Sequence, residues 1–368
     1  MTPEQLLEPI IIAWVCCVGA CVGSFLNVVV YRLPRRCLSV LRPSRSFCPR
    51  CRRGIRWHEN IPILSWLALR ARCAGCRQPI SARYPLVELL TLLLFGWLAW
   101  RDLSGRIADP VAWGLFTAHA TFGCALLVSS LIDLELRILP DAIDVPGIVL
   151  GPLAVALLPS LLASPPPPLA DGAAWLALRL DPAFAWWGLA GALSPLEALA
   201  RLPATHPEEY LRLAAFSGSL LGAAWGAGVV WALGVVFTRA MGRDAMGLGD
   251  VKYMAMIGAL AGWQGVLVTL MVACVAGAAG GLVYMVVSGR GALAAEDLGA
   301  PRSLLGRWGV GLAVAGEPGP DGEVPLRPGT AWIARLLTGD PYVPFGPFLS
   351  IGAFVAVFLP GLLFGASP

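Results

Sequence analysis

The 368 residues are 57% hydrophobic and 14% charged, with a mean hydropathy of +0.72. That balance excludes an ordinary soluble domain and supplies repeated apolar runs of about twenty residues, the length that crosses a bilayer. The net charge is only +4, yet 13 of the 27 basic residues fall between Arg32 and Arg83, where Glu59 is the sole acid. A nucleic-acid footprint would also be basic. A short basic loop between two apolar runs is more simply the positive-inside signal of a cytoplasmic loop, so no nucleic-acid partner is expected.

Residues 9–31 form the first predicted span. Glu4 and Glu8 precede it and Arg32, Arg35 and Arg36 follow it, the pattern of an anchor with its N-terminus outside; a cleavable signal would carry its positive charge first. Gly19 and Gly23 are spaced for close helix contact. The loop that follows, residues 32–84, contains Cys48-Pro-Arg-Cys51 and Cys73-Ala-Gly-Cys76. Each pair turns two thiolates toward one ion, and two pairs complete a tetrahedral zinc site. A closed shell of four sulfurs leaves no position for water, so this metal supports folding and does not catalyse. The reducing compartment implied by the loop's charge favours metal over disulfides. His58 is a weaker competitor as a ligand, and Cys37 has no partner in the sequence.

Span two is predicted over residues 85–100 and contains Glu88, which reads as reaching headgroups, with catalysis as the competing reading. Span three covers 111–132, and its single His119 reads as a hydrogen-bonded packing residue. The turn Asp133-Leu-Glu-Leu-Arg-Ile-Leu-Pro140-Asp141 leads to span four, 142–158. Residues 159–211, with a proline tract at 165–168 and the pair Trp186-Trp187, read as an external loop with an interfacial segment. Span five, 213–237, carries Gly218, Gly222 and Gly226 as a small-residue face. Then comes Met246-Gly-Leu-Gly-Asp250-Val-Lys252, a glycine-flanked carboxylate at the start of a short sixth span ending near 262. A seventh span covers 265–287. A charged Gly/Pro-rich loop with Trp308 and Trp332 occupies 289–341, and an eighth span starts near 342 with Pro344-Phe-Gly-Pro347. The expected fold is an all-α polytopic integral membrane protein of about eight transmembrane helices, with a small cytoplasmic zinc-binding loop domain. Its expected parts are a first helix (1–31), the four-cysteine domain (32–84) and a helical domain (85–368) with insertions at 159–211 and 289–341.

Counting crossings from an external N-terminus places Asp133 and Asp250 at the cytoplasmic ends of spans. Two carboxyls at one depth, brought within hydrogen-bond range, divide their roles, one holding a proton while the other serves as base. Such a pair activates water against a peptide carbonyl and protonates the leaving amine. Gly247 and Gly249 leave the backbone beside Asp250 open to a substrate strand. The competing reading is that either acid caps a helix N-terminus. Lys252 is the only lysine in the chain, and it reads either as a specific electrostatic partner of the site or as a snorkelling cation. A proton-coupled transporter with intramembrane aspartates and a non-catalytic zinc-knuckle assembly factor remain as alternatives. Asp141, Asp144 and Asp244 are nearby acids to which the sequence assigns no role.

Several motifs, in order, resemble the type IV prepilin peptidases: Gly23-Ser-Phe-Leu-Asn-Val-Val-Val-Tyr-Arg-Leu-Pro34, Ser46-Phe-Cys-Pro-Arg-Cys51, Asn60-Ile-Pro62, Cys73-Ala-Gly-Cys76 and Ser81-Ala-Arg-Tyr-Pro-Leu-Val-Glu-Leu-Leu90. Ile132-Asp133 with Leu139-Pro-Asp141, Gly247-Leu-Gly-Asp250-Val-Lys252 and Pro344-Phe-Gly-Pro-Phe348 continue the series. The resemblance implies that Asp133 and Asp250 are the pair of a GxGD aspartic protease in the bacterial cytoplasmic (inner) membrane, with its site at the cytoplasmic face. It implies a prepilin or pseudopilin substrate with a short basic leader, N-methylation of the new terminus from S-adenosylmethionine, and partners in pilus or type II secretion assembly. No glycine-rich loop marks the methyl-donor site, so the zinc loop is implicated in methylation by analogy alone. Ala71 stands where the resemblance leads one to expect glycine.

Overall fold

The computed structural model describes residues 3–35, 40, 46–48, 50–163, 206–241, 246–297 and 345–359. Cys37, Asp244, Pro344, the proline tract at 165–168, Trp186, Trp187, Trp308 and Trp332 lie outside them, as does most of each expected insertion. The described chain is helical: α1 (Pro3–Arg32), the short α2 (Leu64–Ala68), α3 (Arg83–Leu103), α4 (Pro110–Leu136), α5 (Asp141–Leu157), α6 (Pro207–Met241), α7 (Leu248–Asp297) and α8 (Gly346–Phe358). Isolated bridges pair Phe47 with Gly54 and Arg72 with Pro79 in the cysteine loop.

Local chemistry sets the helix ends. Asp109 caps α4 by accepting the Val111 amide at 2.9 Å, with Pro110 in the first turn, where a missing N–H costs nothing. The same helix stops at Arg137, whose left-handed φ of 58° lets its amide bond the Asp133 carbonyl at 2.8 Å. Within α7 the regular helix breaks at Gly262, at φ 67° and ψ 178°, between the expected sixth and seventh spans.

Four described helices are long and apolar enough to cross a membrane: Leu6–Arg32, Pro110–Leu136, Pro207–Ala240 and Leu248–Gly280. The expected count of about eight is not reached among the described residues; α5 has 17 residues and α8 has 13. Large apolar side chains such as Leu89, Leu90 and Leu93 of α3 and Leu220, Leu221, Trp225 and Trp231 of α6 face outward, as lipid contact requires.

The chain forms two compact units, Met1–Pro140 with Ala273–Ser350, and Asp141–Val272 with Ile351–Pro368. In the first, α1 lies against α3 through Gly19 and Gly23. A Cβ at Gly19 would come to 2.7 Å from Phe95, and one at Gly23 to 2.8 Å from the Glu88 Cα. Asn27, buried in α1, donates to the Tyr84 carbonyl at 3.2 Å. His119 is a packing residue, its Nδ1 lying 3.0 Å from Asp102 and 2.7 Å from Arg101. In the second unit, α6 meets α7 backbone to backbone: a Cβ at Gly222 would strike the Gly258 carbonyl, and one at Gly226 would come to 2.5 Å from the Met254 carbonyl. Gly228, on the same helix, has open space around it.

Those two positions make a matched test. Gly222→Ala has no flexible neighbour to displace and lowers the melting temperature in detergent, by the equivalent of about 1–3 kcal/mol. Gly228→Ala leaves melting unchanged or raises it, because alanine is the better helix former by about 1 kcal/mol.

Candidate functional site

Asp133 occupies the last turn of α4 and is 6% exposed. Its Oδ2 accepts a hydrogen bond from the Gly346 amide, the first residue of α8, at 2.9 Å. A Cβ at position 346 would lie 2.6 Å from that oxygen, so this approach admits only glycine. One turn earlier in α4, the Ser130 hydroxyl lies 2.6 Å from that of Ser350 in α8.

Glu135, two residues beyond Asp133, is a buried group that sequence reasoning passed over. It pairs with Arg83 at the start of α3 and, at 3.7 Å, with Arg35 just past α1. Arg35 also lies over the Tyr31 ring, 4.3 Å from its centroid. The cluster pins the end of α4 that carries Asp133 to two other helices. An acid facing an arginine-rich loop was the available signal, but nothing local names the partners. Breaking one side of such a buried pair costs about 3–5 kcal/mol.

Asp250 lies in the first turn of α7, half-buried. It accepts the Gly247 amide at 3.3 Å while its own amide reaches the Gly247 carbonyl at 3.2 Å. This is a local capping contact, so the capping reading of Asp250 has an observation behind it. Among the described residues, a Cβ at Gly247 would meet nothing closer than 3.8 Å. Packing against those residues therefore does not demand glycine there. Lys252 donates to Asp141 Oδ1 at 2.7 Å, with both side chains exposed. Such a pair adds about 0–1 kcal/mol and ties the first turn of α5 to that of α7. Asp144, one turn along α5, is fully buried, and neither carboxyl oxygen has a hydrogen-bond partner among the described residues.

The cysteine loop repeats one knuckle twice. In the first, the Cys48 amide donates to the Arg53 carbonyl at 3.0 Å and the Arg52 amide to the Cys48 carbonyl at 2.8 Å. In the second, Cys73 donates to Gln78 at 2.9 Å and Arg77 to Cys73 at 3.0 Å. The residue after each second cysteine, Arg52 or Arg77, takes a left-handed φ of 54° or 56°. The sulfurs of Cys48, Cys51, Cys73 and Cys76 all lie within 4.8 Å of one another, with Cys48 and Cys76 at 3.9 Å. Zinc–sulfur bonds of about 2.3 Å in a tetrahedron set sulfurs about 3.8 Å apart, so the four residues fit a zinc ion. The amides of Cys76 and Gly75 hold the Cys73 thiol down at about 7. For Cys76 the Gln78 amide pulls downward, but burial and the three adjacent thiols push it up to about 11. Crowded sulfurs of this kind ionise together only around a cation. His58 stands apart from the cluster and stacks edge-on with Trp57.

Glu88 anchors the loop to α3. It is buried and accepts the Ile63 amide at 2.7 Å, so the expectation that it reaches headgroups gives way to a joint between loop and helix. Ile63 itself has φ 61°. Ala71 likewise sits at φ 58°, a region where any residue with a Cβ is strained, which explains why glycine suits that position.

Two outcomes follow for the loop. Protein purified with reduced cysteines carries about one zinc per chain by elemental analysis, and Cys76→Ser lowers that to less than half. Ala71→Gly stabilises the loop by about 1 kcal/mol, read as slower zinc loss to a chelator.

Comparison with known proteins places these features in a family. The model described as Bacterial Peptidase A24 N-terminal domain matches residues 17–102, which include the four cysteines. The model described as Type IV leader peptidase family matches residues 183–282, which include Asp250 and Lys252; Asp133 lies between the two matches. The chain is similar to a prepilin leader peptidase/N-methyltransferase of Myxococcus xanthus, 35% identical over 77% of this chain and 65% of the relative. That alignment spans just under two thirds of the relative's length. Proteins of the same name from Stutzerimonas stutzeri (32% identical, 77% of this chain, 86% of the relative) and Neisseria gonorrhoeae (30%, 79% and 88%) are matched more fully. No solved structure matches. With about a third of its residues identical over most of both chains, in the order of its motifs, this membrane protein belongs to the type IV prepilin peptidase family.

Proposed function

We propose that this chain is an aspartic endopeptidase of the bacterial inner membrane that removes the basic leader of type IV prepilins or pseudopilins at the cytoplasmic face and N-methylates the new terminus. The observation that carries the reading is the buried Asp133, a carboxyl held at a helix end by the Gly346 amide, in a chain whose relatives bear the name prepilin leader peptidase/N-methyltransferase.

In this reading Asp133 and Asp250 are the two catalytic carboxyls. One, ionised, takes a proton from the water that attacks the scissile carbonyl; the other, protonated, gives its proton to the leaving amine. Gly247 and Gly249 admit the substrate strand, and Lys252 supports the first turn of α7 through Asp141. Zinc held by Cys48, Cys51, Cys73 and Cys76 stabilises the loop domain. S-adenosylmethionine is the co-substrate of the second reaction, giving its methyl group to the freed amine and leaving as S-adenosylhomocysteine. A first helix at 1–31, a metal loop at 32–84 and a peptidase domain at 85–368 divide these tasks. Components of pilus or type II secretion assembly are the expected neighbours.

The capping contact of Asp250 favours one rival, in which the aspartates only cap helices. Purified protein in lipid, incubated with a prepilin, separates the two. Asp133→Ala and Asp250→Ala each lower leader removal by about 10²–10⁴-fold if the acids perform proton transfer. Leader removal that survives both substitutions leaves only the capping role. Omitting the methyl donor leaves cleavage intact and abolishes methylation, read as the mass of the product's N-terminus.

A further inference from the structure

The bond between Asp133 and Gly346 depends on the height of α8 along α4. One residue of slip moves the Gly346 amide by about 1.5 Å, enough to lose the bond. Ser130 and Asp133 stand three apart on one face of α4, and Gly346 and Ser350 stand four apart on one face of α8. The helices thus meet at two polar contacts about a turn apart: amide to carboxyl at 2.9 Å and hydroxyl to hydroxyl at 2.6 Å. Both serines are also held to backbone. Ser130 Oγ lies 2.7 Å from the Leu126 carbonyl; Ser350 Oγ lies 3.0 Å from the Gly346 carbonyl and 3.4 Å from that of Leu126. One hydroxyl donates to the other while the second serves a carbonyl, so neither rotates freely.

Apolar packing alone would leave such a helix pair free to slide, because lipid and side chains are equally apolar. We propose that the Ser130–Ser350 hydroxyl pair is a positioning latch that sets the register of α8 on α4 and so aims the Gly346 amide at Asp133. The latch rests on the reading of Asp133 as a catalytic carboxyl. Ser130 and Ser350 are positioning residues, acting through Gly346 on a group that touches the reacting atoms.

The test is steady-state leader removal by the full chain in lipid, with a prepilin as substrate, alongside melting temperature and zinc content. Ser350→Ala lowers kcat roughly ten-fold with KM within two-fold, since a shift of about 1 Å at a reacting group costs one to two orders of magnitude. Ser130→Ala does the same, and the double variant loses no more than either alone, because one missing hydroxyl already opens the latch. Ser350→Thr, which keeps the hydroxyl, restores most of the rate. Gly346→Ala, which drives a Cβ into the carboxyl, lowers kcat further than either serine variant. Wild-type kcat in Ser350→Ala overturns the latch. So does a loss of kcat that tracks a fall in melting temperature and zinc content and is not recovered by threonine. Asp133→Ala separates the two ideas: activity surviving that change overturns the catalytic reading itself, whereas an inactive Asp133→Ala beside a fully active Ser350→Ala overturns the latch alone.

Discussion

Inside an apolar helical unit a polar side chain has no water to return to, so a partner in the protein is worth more there than at a wet surface. In the unit that contains Asp133, several buried side chains take a partner from a different element. Asp133 takes the first amide of α8, Glu135 takes arginines from the starts and ends of two other helices, Glu88 takes an amide from the loop, and His119 on α4 takes Asp102 from α3. The apolar surface brings helices together without fixing their heights. These few polar contacts do fix them, because a hydrogen bond fails within about an ångström of displacement.

Glycine works alongside this constraint. Where lipid is as apolar as the helix interface, close backbone approach supplies van der Waals contact that leucine against leucine cannot. Gly19 and Gly23 let α1 lie on α3, and Gly222 and Gly226 let α6 lie on α7. At Gly346 the same smallness admits a carboxyl to within bonding distance of an amide. Gly247 differs from these, since no neighbour among the described residues requires it.

The metal loop and the acid segments are different problems for a reader of sequence. Two CxxC pairs are legible because each knuckle is local: the same amides and carbonyls close around each pair, offset by the same number of residues. Ligand type and spacing then fit a zinc ion. Asp133 and Asp250 are legible as ionisable groups at the ends of apolar runs, an expensive place for a charge. Glu135 and Glu88 were not legible in their roles. Their partners lie far off in the chain, and an acid in an apolar run looks the same whether it meets a headgroup, an arginine or an amide.

By itself the sequence determined the membrane character of the chain, the four-cysteine cluster, the break near Gly262 and the segments that carry the two aspartates. Each of these is written in local composition or short-range spacing, and each survives translation into helices. Only the tertiary structure decided that the Gly346 amide holds Asp133, that Lys252 pairs with Asp141, that Ala71 is strained and that Ser130 meets Ser350. Those facts turn on distances of a few ångströms between elements, or on one backbone angle, and the packing of whole helices sets both.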